Sequence, residues 1–277
     1  MSKRHLTADE QLQLRQALHI ATLAALLSAQ RWSPKDLIFQ GGTSLHLSYG
    51  SPRLSEDLDF LVKRSLNLDR INQHIEAQLK YLPWIPAEGT LSVTPSKRDK
   101  NPYAFNVVIG GERLMPSVKV KVELWKTPDQ VMNPLDVQVS AVQAAVGLAA
   151  GMRVAVPTAT QAEIYADKVF ALAARTYLKP RDVFDLHWLK AHGHSRCTQA
   201  ALALRLATYP SETPDAWLNK ALQRRHDLPT QTDFVRNDLK KWLPPVFPID
   251  ASAMVATAVA ALDDGIERMR EIRDDGK

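Results

Sequence analysis

The spacing of apolar residues changes character along the chain, and the changes mark out its elements. Leu12, Ala17, Leu18, Ala21, Ala25 and Leu26 recur at roughly helical intervals. Just upstream, Thr7 and Glu10 have the spacing of a capping box, in which hydroxyl and carboxylate each satisfy an orphan amide. A first helix is therefore expected from Ala8 to Ala29. "DLIFQGG" reads as a short buried strand running into a glycine turn, and "LDFLV" as a second strand. "NLDRINQHIEAQLKYL" has the pattern of an amphipathic helix stopped by Pro83.

The pattern then turns to sheet. "TLSVT" and "YAFNVVI" are rich in β-formers, and Gly110-Gly111 between apolar runs signals a hairpin. "SVKVKVEL" alternates strictly: Val118, Val120, Val122 and Leu124 share one face, and Lys119, Lys121 and Glu123 the other. The charged, proline-bounded "PSKRDKNP" is expected to be an exposed loop. From about Thr158 the period becomes helical. Thr160 and Glu163 repeat the capping-box spacing ahead of "EIYADKVFALAARTYL", and Pro180 suits the first turn of "PRDVFDLHWLKAH". Alanine-rich and tryptophan-bearing stretches follow, divided by Pro210, Pro214, Pro229 and "PPVFP". The chain thus reads as an α+β protein: a mixed-sheet domain over residues 1–153, then a mainly helical domain over 154–277.

Composition narrows the class. A chain of 277 residues can bury a substantial core. The single cysteine, Cys197, excludes an internal disulfide framework and a cysteine-clustered zinc site. "MSKRHLTADEQLQL" lacks the apolar core of a secretion signal, and "IATLAALLSAQ" is too short to cross a bilayer. A cytoplasmic protein without a membrane partner is expected. A formal charge of +5 is compatible with an anionic partner but does not require one. His187, His192 and His194 fit no zinc spacing, and the tryptophans at 188, 217 and 242 occupy apolar helical positions suited to a core.

The chemistry concentrates in "GGTSLHLSYGSPRLSEDLDF", residues 41–60. On a strand, Asp57 and Asp59 share a face about 7 Å apart. Two such carboxylates repel each other unless a cation joins them, and oxygen-only ligands select magnesium or manganese. Gly41 and Gly42 allow close backbone approach, and the "TSLHLSY" that follows can open a helix whose free amides attract phosphate. Thr43 and Ser44 add hydroxyls. A phosphate cradle beside a metal-binding strand describes a site for nucleoside triphosphate and metal ion.

Gly41, Gly42, Thr43, Tyr49, Arg53, Ser55, Asp57, Asp59 and Phe60 together resemble motif one of the AbiEii/AbiGii toxin family, within the polymerase-beta-like nucleotidyltransferases. The resemblance continues to about Leu189. It implies a polymerase-beta-like fold with a third metal-binding carboxylate on a neighbouring strand, for which Glu123 is the candidate; an ion pair with Lys119 or Lys121 is the other reading of that residue. It also implies that Lys168 contacts the nucleotide and that Asp182 is an essential acid, although Asp185 could exchange roles with it; the other reading is that Asp182 and Arg181 only tie the two helices together. Lys168 and Arg175 are seven apart and so share one helical face, which suits two cations gripping a triphosphate tail. Arg53 could neutralise phosphate or brace the aspartate pair.

The reaction so implied is two-metal transfer of a nucleoside monophosphate from a triphosphate to an acceptor. The resemblance points to the 3′ end of transfer RNA, with arrest of translation and a cognate antitoxin. A small-molecule or protein acceptor, or a non-catalytic triphosphate-binding regulator, are the rival readings. Between Lys220 and Lys241 the residues Lys220, Arg224, Arg225, Arg236, Lys240 and Lys241 could track phosphates or form an ordinary solvated face.

Overall fold

In a computed structural model, which describes residues 3–97, 101–143 and 147–275, the strict alternation of "SVKVKVEL" becomes the centre of a sheet. The elements in chain order are β1 (Arg4–His5), α1 (Ala8–Ser28), β2 (Leu37–Gln40), α2 (Gly41–Tyr49), β3 (Asp57–Lys63) and α3 (Ile71–Leu79). β4 (Thr90–Lys97), β5 (Tyr103–Gly111), β6 (Leu114–Thr127), α4 (Asp129–Met132), β7 (Val137–Gln143) and β8 (Arg153–Ala159) follow. The remainder is helical: α5 (Gln161–Ala174), α6 (Pro180–Ala191), α7 (Gln199–Thr208), α8 (Pro214–Asp227), α9 (Thr232–Leu239) and α10 (Ala251–Asp275). Two units divide the chain. The first comprises residues 1–50, 55–133 and 137–158, and the second 51–54, 134–136 and 159–277.

In the first unit, eight strands among the described residues form one mixed sheet in the order β4-β5-β6-β3-β2-β8-β7, with β1 paired to β6. β3 runs parallel to β6 and antiparallel to β2, and β5 runs antiparallel to β6. Because side chains alternate across a strand, Leu58, Phe60, Val118, Val120, Val122 and Leu124 all turn to one face and are completely or almost completely buried. There they join Leu18, Leu23 and Leu26 of α1 and Ile71 and Ile75 of α3 in the core. The same alternation leaves Asp57, Asp59, Lys121 and Glu123 on the opposite face, each half-buried.

The N-terminal capping box of α1 is complete: the Glu10 amide donates to the Thr7 hydroxyl and the Thr7 amide to the Glu10 carboxylate. At α5 only half of it forms. The Glu163 amide donates to Thr160, but the Glu163 carboxylate is taken by the Asp136 amide and by Arg205 at 2.7 Å. Three other expectations are corrected. α3 ends at Leu79, before Pro83; β4 continues through Pro95 into the expected loop, whose residues 98–100 lie outside the described residues; and β7 and β8 occupy a stretch with no strand reading. In the second unit α10 packs against α6 and α8, and Phe170 stacks between Tyr209 and Trp217. Trp217 is fully buried and donates its indole N–H to the Phe170 carbonyl at 3.0 Å.

Candidate active site

The glycine turn expected after β2 is itself the first residue of a helix. Gly41 has φ +80° and opens α2 directly from Gln40, which lies in register with Asp59 across β2 and β3. A Cβ on Gly41 would meet an Asp59 carboxylate oxygen at 2.7 Å, so glycine is required there by backbone angle and by space. The carboxylate therefore lies beside the N-terminus of α2, where the helix dipole favours negative charge. Gly42, Thr43 and Ser44 are buried in that first turn. Their hydroxyls are spent on the main chain: Thr43 donates to the Asp57 carbonyl and Ser44 to the Gly41 carbonyl at 2.8 Å. Thr43 thereby ties α2 to the start of β3, Ser44 braces the first turn of α2 from within, and the polar groups of the turn that remain suited to phosphate are amides.

The parallel pairing of β3 and β6 sets Asp59 directly beside Glu123, and Asp57 beside Lys121. This places the expected third carboxylate on the expected face. The donor set is oxygen only, which suits a hard divalent cation. The side chains do not converge, however. Among the described residues no three His, Cys, Asp or Glu side chains are gathered closely enough to hold one ion. Glu123 is instead in contact with the Lys121 ammonium, two residues earlier on the same strand. Burial opposes the charge on Lys121, but Glu123, Asp57 and Asp59 outweigh it and raise its pKa.

A clamp from α1 steadies the approach to Asp57 and had no reading in the sequence. The His19 ring Nε2 lies 3.1 Å from the Glu56 carbonyl, and Arg15 is 3.4 Å from the Glu56 carboxylate. His19 is 3% exposed, and burial brings its pKa down to about 4, so it is neutral. The neutral ring with its proton on Nε2 donates to that carbonyl. Its position among Leu18, Ile20 and Leu23 on an apolar helix makes it look like core from sequence alone.

In the second unit, Arg53, Lys168, Arg175, Asp182 and Asp185 form one network. Arg53 is buried and grips Asp185 with two parallel bonds, Nε to Oδ1 at 2.7 Å and Nη2 to Oδ2 at 2.9 Å. Its third donor goes to the Leu54 carbonyl. In these contacts Arg53 braces Asp185. Lys168 lies between Asp182 at 2.7 Å and Asp185 at 2.8 Å and is almost fully buried. Burial would raise the carboxyl of Asp182, but Lys168 and then Arg175 overcome it and hold it down at about 2. Asp185 is likewise lowered against its burial, by Arg53 and then Lys168. Arg175 is not on the face of α5 that carries Lys168: the helix ends at Ala174 and Arg175 is extended, with Nε 3.3 Å from Asp182. It is the most exposed cation of the five-residue network.

The basic stretch is largely compensated. Lys220 pairs with Glu212, Arg225 with Asp263, Arg236 with Asp233 and Lys241 with Asp238. Arg224 donates to the Leu172 and Arg175 carbonyls, capping the end of α5. His187, His192 and His194 bond separately to Thr257, the Trp188 carbonyl and Gln161. The buried Cys197 thiol is pushed up to about 12, which makes it inert. Among the described residues no helix is long and apolar enough to cross a membrane.

A family model described as the nucleotidyl transferase AbiEii toxin of a type IV toxin–antitoxin system matches residues 22–263. The chain belongs to this family. As an AbiEii member it is a nucleotidyltransferase toxin, with a nucleoside triphosphate as substrate and an antitoxin implied as partner. Several solved structures share the fold. MenT4, a nucleotidyltransferase toxin from Mycobacterium tuberculosis H37Rv, is 17% identical, with 97% of this chain and 93% of that one covered and a TM-score of 0.57. JHP933 from Helicobacter pylori is 16% identical, with 98% and 97% covered and a TM-score of 0.53. Among curated proteins none matches the chain.

Proposed function

We propose that this AbiEii nucleotidyltransferase transfers a nucleoside monophosphate to the 3′ end of transfer RNA in the cytoplasm and so blocks translation until its antitoxin intervenes. The observation that carries the reading is the alignment of Asp57, Asp59 and Glu123 on one face of the sheet, with α2 opening against Asp59. Asp57, Asp59 and Glu123 are the residues that would hold magnesium or manganese. Bound there, a pair of such ions would activate the acceptor hydroxyl and neutralise charge on the departing pyrophosphate.

The chain's own groups carry the rest. Amides of Gly42, Thr43 and Ser44 in the first turn of α2 receive phosphate oxygens. Thr43 and Ser44 hold that turn through their hydroxyls. In the second unit, the groups assigned to nucleotide phosphate are Arg175, charged and more than a third exposed, and Lys168, which would leave one of its two carboxylates. Asp182 stays ionised through the physiological range and orients both cations, so its part is electrostatic rather than proton transfer. Arg53 acts on the nucleotide only through Asp185 and Lys168.

The test is incubation of the purified protein with total transfer RNA, magnesium and each labelled nucleoside triphosphate in turn, with Asp59→Ala alongside. Label on transfer RNA from the intact protein alone is the expected result and names the nucleotide. Label on another acceptor, or triphosphate binding without any transfer, overturns the transfer RNA reading.

A further inference from the structure

The sheet face that carries the three acids also carries a lysine at its centre. Register sets Asp57 beside Lys121 and Asp59 beside Glu123, so β3 contributes two carboxylates and β6 an ammonium and a carboxylate to one four-residue block. Neighbouring strands lie about 4.8 Å apart and same-face residues about 7 Å, which puts all four side chains within reach of a common point. The fold therefore builds a place for a positive charge and supplies one from the Lys121 side chain.

Glu123 is where the two uses of that place conflict. Its carboxylate is in contact with the Lys121 ammonium, and the three acids form no cluster close enough to hold an ion. Both side chains are partly shielded, at 31% exposure for Lys121 and 19% for Glu123. Lysine suits a contact that must open: its ammonium is a point donor on a flexible stem and rehydrates readily, whereas arginine would grip both carboxylate oxygens.

We propose that Lys121 is a resident stand-in for the divalent cation, holding Glu123 until an ion displaces it, and so setting metal affinity through Glu123. The proposal rests on the reading above that Asp57, Asp59 and Glu123 are the metal residues. In the exchange the Lys121–Glu123 ion pair opens, Glu123 turns an oxygen to the ion, and the ammonium passes to water. No covalent bond forms or breaks. Without the ammonium, Asp57, Asp59 and Glu123 would repel one another in the ion-free protein, so Lys121 stabilises the state that waits for metal.

Manganese titrated into chelator-stripped protein, with free Mn²⁺ read by electron paramagnetic resonance, tests this directly. Lys121→Met is expected to tighten Mn²⁺ binding about three- to fivefold, the scale of a partly exposed ion pair. Lys121→Arg, which keeps the pair, stays at or above the wild-type dissociation constant. In a Glu123→Gln background, Lys121→Met has no further effect. Unchanged or weaker binding in Lys121→Met overturns the proposal, as does tightening that persists in the Glu123→Gln background, since that would be general repulsion. Asp59→Asn separates the two readings: if it leaves Mn²⁺ binding intact, the metal site itself is misassigned, whatever Lys121 does. Thermal unfolding of each variant confirms that it is folded.

Discussion

Gly41 stands where a side chain would strike the Asp59 carboxylate, with 2.7 Å from an ideal Cβ to Oδ2. Its φ of +80° compounds the constraint, since a left-handed conformation costs a non-glycine residue about 1–2 kcal/mol. Gly41→Ala should lower stability by about that amount and reduce nucleotidyl transfer far more, because relief of the contact moves Asp59. Urea denaturation beside a single-turnover transfer assay checks this. A variant with intact activity and reduced stability would mean that Asp59 is free to shift without consequence.

Arg53 and Asp185 are 132 positions apart and make a buried, two-bond ion pair. Removing Arg53 leaves Asp185 buried with Lys168 as its remaining cation, at a cost toward the lower end of about 3–5 kcal/mol. Arg53→Met should therefore be strongly destabilised, and Arg53→Lys less so, having lost only the fork geometry. Asp185→Leu added to Arg53→Met should recover part of the loss, although Lys168 then keeps only Asp182. Denaturant midpoints of the three variants decide it. If Arg53→Met unfolds at the wild-type midpoint, the pair is not stabilising the fold.

His19 makes stability depend on pH. Its folded pKa is about 4, against 6.5 for an ordinary histidine, with burial as the main cause. The folded protein thus takes up this proton less readily than the unfolded chain does. The stability involved is fully present above pH 6.5 and is lost as pH falls through the interval to about 4. The full loss is on the order of 3 kcal/mol. His19→Gln, which retains a donor for the Glu56 carbonyl, should flatten that part of the profile. Unfolding free energies at pH 7.5 and 4.5 for both proteins test it; equal pH slopes would remove His19 from the account.

What was legible in the sequence was local. The Thr7–Glu10 capping box, the alternation from Val118 to Leu124 and the Asp57–Asp59 pair each depend on residues a few positions apart, and each is found as read. Pairings over long separations were not. Nothing in the spacing of "RLSEDLDF" says that Arg53 joins Asp185 in one unit while Asp57 belongs to the other. The alternative reading of Glu123 as an ion-pair partner is the contact observed, because a lysine two residues away on the same strand face is always within reach. Helical period sets Lys168 and Arg175 on one face, but the helix stops between them and Asp182 is what unites them. His19 is not distinguishable in the sequence because a buried neutral histidine carries the same pattern as its apolar neighbours.

Gly265 offers a case where two effects of one substitution oppose each other. It lies inside α10, where alanine is favoured over glycine by about 1 kcal/mol on helix propensity. A Cβ there would meet Val169 Cγ1 at 2.7 Å and the Trp217 ring at 3.2 Å. Neither neighbour yields easily. Val169 is β-branched and fully buried, and Trp217 is fully buried with its indole committed to the Phe170 carbonyl. Overpacking of such a core costs about 1–3 kcal/mol, so the contact outweighs the propensity gain. Gly265→Ala should lower the unfolding midpoint and change the emission of Trp217, whereas Gly265→Ala stabilising the protein would show that α10 can withdraw from α5 and α8 at little cost.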